Sequence, residues 1–268
     1  MKWVRIYIAI VLFTSMLFGV VEYFFSYPFV STLFVVSPAL LAFAVSCLDP
    51  YRTLRDLGWK PNFRYWLIIT FSIGLVVLVL LAVAWLSGHT EVNEKTVRKF
   101  FAWSMISSLI LGIVLNTGEE AGWRGYMFPS LVREKGWWKA VVLTSFIWWL
   151  WHVPMMAVLQ VKMFGHIQYS TQLIHFLSLI PPTIIFGIWM KGSGSFWAIG
   201  FAHQLINFVN KWFLGLEHSE KVPMFFANKD HLRIYSTENG ILGVAAMGAL
   251  AIGLYMYARK KRPDLLRS

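Results

Sequence analysis

The chain has 268 residues, 57% of them hydrophobic and 14% charged, with a formal charge of +11. A soluble domain must cover itself with polar side chains, and this composition excludes one; the solvent is lipid. In a soluble chain such charge would suggest nucleic acid, but here it belongs to loops between apolar segments, so lipid is an expected partner and nucleic acid is not.

In chain order, the apolar segments are residues 6–25, 29–48, 65–86, 101–115, 140–159, 173–190, 195–214 and 240–257. Most approach the roughly 20 residues, at about 1.5 Å each, that cross a hydrocarbon core. The first has no small-residue cleavage site and reads as an uncleaved span. The second holds Cys47, the single cysteine, so no intrachain disulfide is expected. The seventh is interrupted by His203, Asn207, Asn210 and Lys211, yet is rich in Phe, Trp, Ile and Leu. Lipid leaves no partner for free backbone groups, so every span is predicted helical. The expected class is an all-α polytopic membrane protein of about eight transmembrane helices, forming a single transmembrane domain over residues 1–268. No linker, solenoid period or low-complexity run divides it, and a weak inverted repeat of four plus four spans stays open.

An even number of spans puts both termini on one side. That side collects Lys2, Arg5, Arg52, Arg55, Lys60, Arg64, Arg124, Arg133, Lys135, Lys139, Lys191, residues 259–262 and Arg267. These are two-thirds of the 24 lysines and arginines. The opposite loops hold Lys95, Arg98, Lys99, Lys162, Lys211, Lys221, Lys229 and Arg233. By the positive-inside bias, both termini are predicted cytoplasmic.

Residues 118–136, GEEAGWRGYMFPSLVREKG, mix charges, glycines and aromatics. The fourth helix is predicted to continue through Arg124, followed by an interfacial segment anchored by Tyr126 and Phe128 and a cationic turn at 133–139. Glu119 and Glu120 point about 100° apart on a helix and cannot share a role. Arg124 follows Glu120 by four residues, the order and spacing of an intrahelical ion pair, so Glu120 is the structural partner. Glu119, without a local cation, suits a general base. The competing structural reading makes all three an interfacial charge cluster.

His152 lies inside the fifth span among Trp148, Trp149 and Trp151, with Pro154 able to kink the helix nearby. Its structural reading is a histidine bonded to a neighbouring helix. His203 and Asn207, four apart, share a face of the seventh span and supply two oriented donors suited to an oxyanion, or a polar seam supported by Asn210. Glu22, His175 beside Pro181 and Pro182, and Lys211 read as boundary or packing residues. A carboxylate ending one span and histidines in two others form a constellation on three helices, for which hydrolysis is the fitting chemistry.

At these residues the chain resembles the CAAX-protease and bacteriocin-processing (CPBP, or Abi) family of intramembrane proteases. Glu119, Glu120 and Arg124 stand as EExxxR, His152 as the histidine of FxxxH, and His203 with Asn207 as HxxxN. Trp148 replaces the phenylalanine of the second motif. The resemblance covers about residues 109–210 and the eight-helix plan.

It implies an endopeptidase cutting a peptide bond of a membrane-associated peptide or protein near the cytoplasmic face. Glu119 and His152 would activate water, His203 and Asn207 would stabilise the oxyanion, and Glu120 with Arg124 would support the site. The family is also described as metalloproteases. Under that description Glu119, His152 and His203 would hold a divalent metal such as Zn²⁺ with an open position for water. Because no HExxH pair is present, metal-independent activation is slightly favoured, and the cofactor stands open between none and one divalent metal such as Zn²⁺. The resemblance also implies a bacterial cell membrane, with the active-site cavity facing the cytoplasm. Two other classes compete: a non-catalytic bacteriocin self-immunity or membrane scaffold protein on the same fold, and a proton-coupled transporter suggested by the buried His and Glu.

Overall fold

The computed structural model describes residues 2–25, 29–50, 54–100, 103–214, 224–225, 231–238 and 240–267. Arg52, Lys221 and Lys229 of the charge count lie outside them, as do the first two residues of the fourth predicted span. Regular structure among the described residues is helical throughout: α1 (Lys2–Phe25), α2 (Val30–Ser46), α3 (Phe63–Leu86), α4 (Glu94–Phe100), α5 (Trp103–Glu120), α6 (Phe128–Lys135), α7 (Trp137–Phe164), α8 (Tyr169–Ser178), α9 (Ile180–Ser193), α10 (Phe196–Val209), α11 (Leu232–Tyr235) and α12 (Ile241–Lys261).

Five stretches are long and apolar enough to cross a membrane: α1, α3, α7, α8 with α9, and α12. The α8–α9 pass is broken at Leu179, just before Pro181 and Pro182, whose missing N–H groups start the second helix without loss. α2 is a shorter apolar helix. α5 and α10 end as regular α-helices because each runs on into a π-helical segment, Ala121–Met127 and Asn210–Leu214. The protein is thus an all-helical polytopic membrane protein. Leu67, Phe71, Leu75 and Leu78 of α3 and Phe13 and Leu17 of α1 remain exposed, the apolar surface that lipid covers.

Side-chain contacts give the directions. Ser15 donates to the Trp151 carbonyl, Gly19 faces Pro154 and Lys162 meets Glu22, so α1 and α7 run parallel. Gly118 faces Val36 and Gly122 faces Pro38, so the end of α5 runs parallel to α2. Gly112 faces Gln204 while Gly200 faces Thr117, so α5 and α10 are antiparallel. Trp138 at the start of α7 donates to the Tyr255 hydroxyl near the end of α12 at 3.3 Å. Lys2, Trp137 and Lys261 therefore mark one end of the bundle.

α5 and α10 approach closely through small residues, as membrane helices do when dispersion forces must hold them together. A Cβ on Gly200 would fall on the backbone of Thr117, which cannot give way as a flexible side chain would. Gly200→Ala should therefore destabilise the fold by about 1–3 kcal/mol, read as a lower unfolding temperature in detergent.

One expectation is corrected. The segment after Arg124 is not anchored at an interface by Tyr126 and Phe128, which lie in the core. Tyr126 is 0% exposed and Phe128 2%. The π segment keeps the chain helical past Glu120 and carries these rings into the core, where Tyr126 packs on Tyr7 at 5.2 Å and donates to Asp49 at 3.2 Å.

Candidate active site

Glu119 and Glu120 end α5 at the junction with the π segment, a helical irregularity often found where side chains must be re-aimed. Glu120 and Arg124 are fully buried and paired: Arg124 Nη1 donates to both carboxylate oxygens at 3.0 Å. The guanidinium also lies 4.0 Å from the Trp148 ring centroid and 5.1 Å from that of Phe186, and Nη2 reaches Thr183 Oγ1 at 3.4 Å. A delocalised, weakly hydrated cation suits this stacked, water-poor setting. Gly122 lets the π segment lie close against α2 and α1: a Cβ there would collide with Pro38 and the Tyr7 hydroxyl.

Glu119 is only 3% exposed, yet its partners differ from those of Glu120. Oε1 accepts from Trp148 Nε1 at 2.6 Å and from Trp123 Nε1 at 3.2 Å. Oε2 has no hydrogen-bond donor among the described residues. Two rigid indoles therefore hold one oxygen and leave the other available to a ligand.

His152 Nδ1 bonds the carbonyl of Trp148 at 2.8 Å. A carbonyl only accepts, so Nδ1 carries the proton, and in the neutral ring Nε2 is an acceptor turned away from its own helix. His203 Nδ1 meets Glu120 Oε1 at 2.9 Å, a donor to a carboxylate. Its Nε2 then donates only in the imidazolium form, for which Glu120 is the counter-charge. Glu120 thus serves His203 as well as Arg124, a link across 83 positions that local spacing does not reveal.

Glu119, His152, His203 and Asn207 line one cavity of about 550 Å³, so the structure brings the four expected residues together. The Asn207 side chain makes no hydrogen bond among the described residues, leaving its amide to the cavity. Sequence reasoning missed four participants. Trp148 was read as packing, but its indole binds Glu119, stacks on Arg124 and stands edge-on to His203 at 5.6 Å. Trp123, at i+4 from Glu119, had the spacing of a helical pair. His175, read as packing, lines the cavity with its ring 5.1 Å from that of His152. Lys211, read as a boundary residue, also lines the cavity, with Nζ 3.5 Å from Ser108 Oγ.

Trp148 stands where the motif it resembles has phenylalanine. Trp148→Phe keeps a ring over Arg124 but deletes the stronger donor to Glu119. The fold should lose about 1.5–3 kcal/mol, the usual worth of a hydrogen bond to a charged group, read as a lower unfolding temperature in detergent.

The expected metal ligands fit poorly. Among the described residues, the His/Cys/Asp/Glu group whose ligand atoms lie within 4.8 Å of one another is Glu119, Glu120 and His203, and does not include His152. Within it Glu120 already accepts from Arg124 and His203, and a divalent cation would sit beside a buried guanidinium.

Residues 100–209 match the model of the family described as type II CAAX prenyl endopeptidase Rce1-like. A curated protein of Methanococcus maripaludis, CAAX prenyl protease 2, is 35% identical over 128 residues, covering 46% of this chain and 46% of that protein. The chain thus matches less than half the length of this relative. The matched region contains Glu119, Glu120, Arg124, His152, His203 and Asn207.

Proposed function

We propose that the chain, whose residues 100–209 match the Rce1-like family model, is an intramembrane protease of the CPBP family and hydrolyses a peptide bond by metal-independent activation of water. The observation carrying this reading is the unequal treatment of two adjacent carboxylates. Glu120 is neutralised by Arg124, whereas Glu119 keeps a free oxygen in the cavity it shares with His152. Water held between Glu119 Oε2 and His152 Nε2 gives up a proton as its oxygen attacks the scissile carbonyl. The resulting oxyanion is met by the Asn207 amide and by Nε2–H of a protonated His203. The proton then passes to the departing amine, and the carbonyl reforms. Glu120 and Arg124 act through position only, fixing His203 and Trp148.

The substrate is a peptide or protein segment able to enter a largely apolar cavity walled by Leu115, Trp151, Met156, Phe186 and Phe208. The test is cleavage of membrane peptides by the purified protein in liposomes, followed by mass spectrometry. Turnover should persist after incubation with a strong chelator and vanish in His152→Ala. A loss of activity on chelation, restored by Zn²⁺, would overturn the metal-independent route; full activity in His152→Ala would overturn the site assignment.

A further inference from the structure

A second cavity, of about 630 Å³, lies between α1, α6 and the first half of α7, and among the described residues it shares no lining residue with the candidate active site. One part of its lining is charged and the rest is apolar. Arg5 of α1, Lys135 at the end of α6 and Lys139 in the first turn of α7 line it, and all three are exposed. Among the described residues, the ion pairs within 4.0 Å involve none of the three. Against these three cations the lining sets one carboxylate, the half-buried Glu134.

The apolar part continues from the cations along each helix. α1 and α7 run parallel from the end of the bundle marked by Lys2 and Trp137. Ile8 follows Arg5 by one turn, and Leu143 and Ile147 follow Lys139 by one and two turns, spacings that keep each on the face of its cation. From Lys139 to Ile147 the trough runs about 12 Å, at 1.5 Å per residue. On α6, Leu131 lies one turn before Lys135 and is buried. Both α1 and α7 are long and apolar enough to cross a membrane, so the charged part sits near their first turns and the apolar part at hydrocarbon depth. Trp138 also lines the cavity, half exposed, with its indole donating to the Tyr255 hydroxyl at 3.3 Å. Such rings gather at the level of the headgroups.

Cations at headgroup level above an apolar trough reproduce the order of groups in an anionic phospholipid. A soluble anion would leave the trough unmatched, and an uncharged lipid would leave the three cations without a counter-charge. We propose that the cleft between α1, α6 and α7 binds one anionic phospholipid, with its phosphate against Arg5, Lys135 and Lys139 and an acyl chain along Ile8, Leu143 and Ile147. The lipid comes from whichever leaflet faces that end of the bundle, and the site is independent of the proteolytic reading.

The test is native mass spectrometry of the purified full-length protein, stripped of lipid in detergent and incubated with equimolar phosphatidylglycerol and phosphatidylcholine of the same acyl chains. One phosphatidylglycerol should be retained in preference to phosphatidylcholine by about tenfold or more. In Arg5→Gln/Lys135→Gln/Lys139→Gln the preference should fall to near parity. Arg259→Gln/Lys260→Gln/Lys261→Gln removes the same charge from exposed positions at the end of α12 and should keep it. Equal losses in the two variants, or no preference in the parent protein, would overturn the proposal. Val142→Trp, at an exposed position of the lining, fills the trough without altering charge and should also lower retention. Unchanged retention there would reduce the site to a basic surface patch and overturn the assignment of a lipid. Glycerol 3-phosphate in large excess should not displace the bound lipid; displacement would make the site one for a soluble anion instead.

Discussion

Glu119→Gln is expected to lower turnover by about 10²–10⁴-fold, the usual contribution of a positioned general base. The amide is nearly isosteric with the carboxylate, and its oxygen still accepts from Trp148 and Trp123, so those two hydrogen bonds persist. What it lacks is a lone pair basic enough to take a proton from water. The deficit should therefore appear in kcat with KM and unfolding temperature close to the parent, measured on purified protein with a fluorogenic membrane peptide. A fall below about tenfold would pass the role of base to His152, which shares the cavity and whose Nε2 is an acceptor in the neutral ring.

Arg124→Met acts through stability instead of chemistry. It leaves the Glu120 carboxylate, fully buried, without its main counter-charge and removes the cation stacked between Trp148 and Phe186. Breaking one side of a buried pair typically costs about 3–5 kcal/mol, against about 0–1 kcal/mol for an exposed one. The double replacement Glu120→Gln with Arg124→Met should recover much of that loss, because no uncompensated charge remains. Thermal unfolding in detergent reads both variants. If the single variant melts with the parent protein, the pair is not what holds the end of α5.

The two predictions separate residues adjacent in sequence, and that separation was legible early. Helical geometry alone turns Glu119 and Glu120 to different faces, and the i,i+4 order pairs Glu120 with Arg124, as found at 3.0 Å. The same rule, applied to Glu119 and Trp123, would have exposed one of the indole donors, since the 3.2 Å bond between them is equally local. Trp148 was beyond reach. An indole in an apolar helix is ordinarily packing, and nothing in the sequence places it against a carboxylate 29 residues earlier. His175 was discounted because it stood near a helix break, and it was the fold of α8 against α7 that brought it to His152.

Burial explains the failure at residues 121–132. Aromatics beside charges at a span end resemble an interfacial belt. Here the π segment carries Tyr126 and Phe128 inward, and the neighbouring helices cover them.

The sequence by itself determined the solvent, the helical class and the candidate site residues. Composition and spacing are local quantities, and lipid leaves the backbone no alternative to helix. Tertiary structure alone decided which of those residues meet, that Glu120 holds His203 as well as Arg124, and that Glu119 is fixed by two indoles. Each depends on how helices far apart in the chain are placed beside one another. A period of 3.6 residues says which side chains share a face, but not which helix that face meets.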